Sequence, residues 1–126
     1  ARTLMAEHCI GVVALMANDP SDYPEDSFDN MIEVARQHDF PFPYLLDASQ
    51  EVAKAYGAVC TPDFFGYNER LELQYRGRFD STGRQSPPPA DNRHELLAAM
   101  QHVATTGSGP AEQTPSIGCS IKWKND

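Results

Sequence analysis

Tyr56-Gly57-Ala58-Val59-Cys60-Thr61-Pro62-Asp63-Phe64-Phe65 is the stretch on which the fold turns. Ahead of it and into it, Val52, Ala55, Tyr56 and Val59 repeat at the i, i+3, i+4, i+7 spacing of a helix with one apolar face. At its end the aromatic run Phe64-Phe65-Gly66-Tyr67 has strand composition. Thr61-Pro62 separates the two, because a proline pushes the residue before it out of the helical region. The stretch is therefore a passage from helix to strand, with a thiol, Cys60, two residues ahead of a proline.

Upstream, Ile10-Gly11-Val12-Val13-Ala14-Leu15-Met16-Ala17 is an almost unbroken apolar run, which predicts a central parallel strand covered on both faces. Ala1 to Cys9 reads as a helical fragment without a capping residue before it. After the turn residues Asn18-Asp19-Pro20-Ser21, an acidic cap at Asp22 with Glu25 three positions on predicts a helix reaching His38. Phe28, Met31, Ile32 and Ala35 would form its buried face. Phe40-Pro41-Phe42-Pro43 forces extended backbone into a short strand, Tyr44-Leu45-Leu46. Asp47-Ala48-Ser49-Gln50 then offers a second capping box, opening the helix that leads into the junction.

Downstream, Leu71-Glu72-Leu73-Gln74-Tyr75 alternates apolar and polar residues and follows the polar turn Asn68-Glu69-Arg70, so it pairs with the aromatic strand as an antiparallel hairpin. Gly77 to Asn92, with prolines at 87, 88 and 89, has loop composition. Asn92-Arg93-His94-Glu95 predicts the start of a last helix, with Leu96, Leu97, Met100, Val103 and Ala104 on one face and Gly107 at its end. The expected division is one domain over residues 1–107 and a Gly/Pro/Ser-rich tail over 108–126, docked by Ile121 and Trp123. Strands alternating with helices and closing in a hairpin plus a helix give the class: α/β, a mixed sheet flanked by helices.

Composition narrows the function. At 126 residues the chain builds one core and has no apolar run near the roughly 20 residues that cross a bilayer. A net charge of -8 with scattered Lys and Arg argues against nucleic acid, whose phosphates require clustered bases. Cysteines at 9, 60 and 119 are too few and too dispersed for a secreted disulfide framework, which makes the cytoplasm the expected compartment. The histidines lack ligand spacing, and no cofactor or metal is expected.

Several long motifs carry a resemblance. Asn18-Asp19 followed by Tyr23 to Met31, then Phe40-Pro41-Phe42-Pro43-Tyr44-Leu45, the Tyr56 to Phe65 junction, and Pro115-Ser116-Ile117-Gly118-Cys119-Ser120-Ile121-Lys122-Trp123-Lys124 resemble the bacterial thioredoxin-like redoxins of the alkyl hydroperoxide reductase/thiol-specific antioxidant group. The resemblance runs nearly end to end. It implies a thioredoxin-like fold with a cis bond at Thr61-Pro62, a class of bond found in about 5% of X-Pro steps. It also implies a peroxiredoxin-like activity that reduces peroxides or disulfides with electrons from a thiol reductant. Members of the group carry their reactive cysteine after a strand that would precede Ala1, in an Asn-x-Cys-Pro setting, so the expectation is an N-terminally incomplete fold, impaired in activity.

Within the chain, Cys60 is a candidate resolving or secondary redox thiol beside the proline turn and Cys119 a candidate redox thiol in the tail, and the resemblance points to Thr61 and Pro62 as substrate contacts through the backbone. A reversible Cys60–Cys119 disulfide is one reading; a small buried residue at Cys60 and a surface thiol at Cys119 are the other. Cys9, between helix and apolar strand, is expected in the core. The alternative function is a non-catalytic thioredoxin-fold module that binds a partner, or self-associates through an exposed sheet edge.

Overall fold

The computed structural model describes residues 2–82 and 92–124, and the proline run at 87–89 lies outside them. The chain forms two compact units, one running through Val59 and resuming at Ser120, the other Cys60–Cys119.

The first unit opens with α1 (Arg2–His8), which ends where Cys9 adopts a left-handed φ of 55° and the Ile10 N–H reaches back to the Leu4 carbonyl at 3.1 Å. This geometry turns Cys9 outward; the cysteine is exposed, contrary to the core position expected for it. The apolar run yields β1 (Ala14–Met16), shorter than the expected 10–17. A strand extends only as far as a partner can bond it, and β2 (Tyr44–Leu46) is bounded by Pro43, which has no N–H, and by the turn at Asp47. The two run parallel, with Leu15 beside Leu45. That face is open: Leu15 is 42% and Leu45 49% exposed, where burial on both faces was expected.

α2 (Phe28–Gln37) begins later than the Asp22 signal implies. Pro24–Asp26 forms a single turn of 3-10 helix, and the Ser27 hydroxyl, not Asp22, accepts the Asn30 N–H at 3.2 Å to cap α2. Of the predicted buried face only Met31 is buried; Phe28 remains 52% and Ile32 41% exposed. They line a groove of about 260 Å³ with Phe40, Phe42 and Tyr44, in which Phe40 stacks on Phe42 at 4.9 Å and meets Tyr44 edge to face at 5.5 Å.

α3 (Glu51–Tyr56) is capped by buried Asp47, whose carboxylate accepts the Val52 and Ala53 N–H groups at 3.3 and 2.8 Å. The second half of the expected capping box does something else. Gln50, 2% exposed and left-handed at φ 66°, donates to the carbonyls of Ala17 (2.6 Å) and Lys122 (2.9 Å) and accepts the Lys124 N–H (2.9 Å). The Lys122 N–H donates to Asn18 Oδ1 at 2.9 Å, and Lys54 Nζ sits 5.4 Å from the Trp123 ring centroid. Ile121 of the returning segment is buried, whereas Trp123, expected to dock beside it, is exposed. On α3 itself Ala53 is buried while Val52, Tyr56 and Val59 beyond the helix end are exposed, reversing the predicted stripe. The helix turns its Ala53 side inward because Asp47 and Gln50 anchor that side.

The second unit contains the junction and the hairpin. β3 (Cys60–Thr61) precedes Pro62, and the Thr61-Pro62 bond is cis, as expected. β4 (Phe64–Tyr67) and β5 (Leu73–Gly77) pair antiparallel with Gly66 opposite Tyr75, and Leu71 turns the loop at φ 60°. α4 (Glu95–Thr106) buries Ala99, Met100 and Val103, where Ala104 was expected and is exposed. Gly107, at φ 79°, ends it by donating to the Val103 carbonyl at 2.7 Å. Tyr75, 1% exposed, donates its hydroxyl to the Arg78 carbonyl at 2.6 Å, and Arg78 in turn pairs with Glu95 at 2.6 Å. β6 (Cys119–Ser120) pairs with β3.

Candidate functional site

The site is built from three pieces of the second unit: the cis junction Cys60-Thr61-Pro62-Asp63, the end of β5 at Arg76 and Gly77, and the segment Ser116 to Cys119. Gly118 lies so close to Thr61 that a Cβ on it would overlap the Thr61 carbonyl oxygen and stand 2.8 Å from its carbon. Only a residue without a side chain permits that approach.

Ser116 ties the pieces together. Its hydroxyl shares one proton between the Gly77 carbonyl at 2.6 Å and Asp63 Oδ1 at 2.8 Å, while its own carbonyl accepts the Cys60 thiol at 4.0 Å. The Asp63 side chain is 5% exposed and its other oxygen meets the Arg76 guanidinium at 3.4 Å. Arg76 also stands 5.0 Å over the Phe65 ring.

These neighbours determine the state of the thiol. Burial pushes Cys60 above the ordinary thiol range, the Asp63 carboxylate adds to that rise, and Arg76 opposes it. The thiol donates to the Ser116 carbonyl and holds its proton while it does so. Cys60 at rest is a protonated thiol with a carboxylate and a cation in its surroundings.

All four residues that the sequence singles out fall on or beside the β3–β6 ladder. Gly118 abuts Thr61, and the Ile121 N–H donates to the Val59 carbonyl at 3.2 Å. The Cys60 thiol is half-buried towards Ser116; that of Cys119 is exposed. Both cysteines are free thiols in this structure. Asp63, Arg76 and Ser116 are the site residues that sequence reasoning missed. Asp63 directly after the proline and Ser116 within the Pro115 to Lys124 motif were the available signals.

Among the described residues no group of three or more His, Cys, Asp or Glu could hold a metal ion, and no helix is long and apolar enough to cross a membrane. No family model and no curated protein matches the chain. Solved structures do. An uncharacterized conserved protein from Geobacillus kaustophilus is 42% identical with a TM-score of 0.85, over 98% of this chain. A hypothetical protein from Sinorhizobium meliloti is 39% identical with a TM-score of 0.84, over 97% of this chain. The chain shares their fold. It spans 66% of the length of each.

Proposed function

We propose that the chain is part of a thioredoxin-like thiol oxidoreductase of the peroxiredoxin-like group, reducing hydroperoxides or protein disulfides through Cys60. The observation that carries this reading is the half-buried thiol of Cys60 one residue before a cis Thr-Pro step, bound into a network of Ser116, Asp63 and Arg76. The α/β element order and the long motifs of the redoxin resemblance support the thioredoxin-like assignment. The backbone at Thr61 and Pro62 is the contact surface for an extended substrate in this reading.

The chemistry balances with a dithiol reductant. The Cys60 thiolate attacks one peroxide oxygen, the O–O bond breaks, and the leaving alkoxide takes a proton to become an alcohol, giving a sulfenic acid at Cys60. A reductant thiol displaces water from that sulfur to form a mixed disulfide. The second thiol of the reductant then expels Cys60 and leaves as its own disulfide. Cys119 is not needed for any step.

The test is dithiol-dependent hydroperoxide consumption by the chain and by Cys60→Ser. The account expects a rate above background that the substitution abolishes; equal background rates for both remove the enzyme reading. A second reading, a non-catalytic module that binds a partner or a second copy, is favoured by the open apolar face at Val13, Leu15 and Leu45. A parallel sheet ordinarily has both faces covered.

A further inference from the structure

Asp63 and Cys60 are three residues apart in sequence, yet the link between them runs through a residue more than 50 positions away. Ser116 offers its carbonyl to the Cys60 thiol and its hydroxyl to Asp63 Oδ1, while Gly77 holds the same hydroxyl from the other side. Asp63 is placed to act by its negative charge and by fixing where the Ser116 carbonyl points. Arg76 sits on the opposite oxygen of Asp63 with 42% of its side chain exposed, so it moderates the carboxylate from the solvent side.

We infer that Asp63 is a positioning residue that, through Ser116, locks Cys60 as a donating and therefore unreactive thiol, with Arg76 as the counterweight that weakens the lock. The thiol enters chemistry when the Ser116 contact opens or the Asp63 charge is offset, as by a cationic or hydrogen-bond-donating group of the substrate arriving beside Arg76. Burial raises the Cys60 thiol first, with Asp63 and Arg76 acting in opposite senses after it, which agrees with this arrangement. A carboxylate near a thiol disfavours the thiolate and a guanidinium favours it.

The inference rests on Cys60 as the redox thiol, but its readout does not need turnover. In a Cys9→Ser, Cys119→Ser background, the rate of Cys60 alkylation by iodoacetamide is followed against pH. Asp63→Asn is expected to move the profile to lower pH and speed alkylation near neutrality on the order of fivefold. Ser116→Ala should shift it in the same direction, while Ser116→Thr, which keeps the hydroxyl, should leave it near the parent. Arg76→Gln should move the profile to higher pH and slow alkylation. Opposite shifts cannot come from general loosening, which would speed every variant. If Asp63→Asn and Arg76→Gln move the profile the same way, or Ser116→Ala leaves it unchanged, the lock is overturned. Loss of peroxide turnover with the opposite shifts intact would instead discard the proposed function and leave the lock standing.

Discussion

Replacing Gly118 by alanine tests the close pairing of β3 and β6 on which the site depends. The new Cβ would overlap the Thr61 carbonyl oxygen and lie 2.8 Å from its carbon and 3.4 Å from Pro62 N. These are backbone atoms, so no flexible side chain can swing aside. Relieving the overlap needs a shift on the order of 1 Å, which takes a ladder hydrogen bond from about 2.9 Å to beyond bonding distance. Overpacking plus a lost bond costs about 2 to 4 kcal/mol. With a urea slope of about 1 to 3 kcal/mol/M for a small domain, the midpoint should fall by at least about 0.7 M. Gly11, with nothing within 4 Å of its hypothetical Cβ, is the control, and Gly11→Ala should leave the midpoint unchanged within error. Alkylation of Cys60 should accelerate in Gly118→Ala, because the displaced strand carries Ser116 with it. The same midpoint and alkylation rate in both glycine variants would refute the pairing.

Gln50→Leu leaves two carbonyls and one N–H without their partner and should cost roughly 2 to 4 kcal/mol, with limited proteolysis appearing within 121–124. Asp47→Ala removes the acceptor of two helix N–H groups and should lower stability by about 1 to 2 kcal/mol in urea melts. Tyr75→Phe deletes the bond to the Arg78 carbonyl at a cost of about 1 kcal/mol, read from the same melts. Since burial and then Asp63 raise the Cys60 thiol, its alkylation in the native protein should rise with pH and reach half its limit above the value shown by the urea-unfolded chain. In the native wild type, exposed Cys9 and Cys119 should therefore be alkylated before Cys60, as peptide mapping can establish.

Local chemistry made individual elements legible in sequence but not their sheet order, since the described strands form three two-stranded sheets where one mixed sheet was expected. The Phe64 to Tyr75 hairpin follows from alternation around a polar turn, the last helix from its spacing and Gly107, and the parallel pairing of β1 from its valine-rich run. What the sequence concealed depended on partners far along the chain. Gln50 reads as half of a capping box until Ala17, Lys122 and Lys124 are seen to claim its amide. Periodicity marks one apolar stripe on α2 and another on α3, but it cannot say whether anything covers them, and Phe28, Ile32 and Val52 remain exposed. The site was half visible: Cys60, Thr61 and Pro62 stand out beside one another, whereas the acceptor of the thiol is a main-chain carbonyl at Ser116 that no side-chain pattern encodes. The neighbours of Cys119 depend on the pairing of β6 with β3, a contact between distant segments that no local pattern encodes.

The central claim is that Cys60 alone among the three cysteines carries the redox chemistry. It is tested most directly by comparing dithiol-dependent hydroperoxide consumption in Cys9→Ser, Cys119→Ser protein with that in protein lacking all three thiols. The account predicts that the chain retaining Cys60 consumes hydroperoxide at the wild-type rate and that the thiol-free chain does not. A fall to the thiol-free background when Cys9 and Cys119 are removed would contradict it.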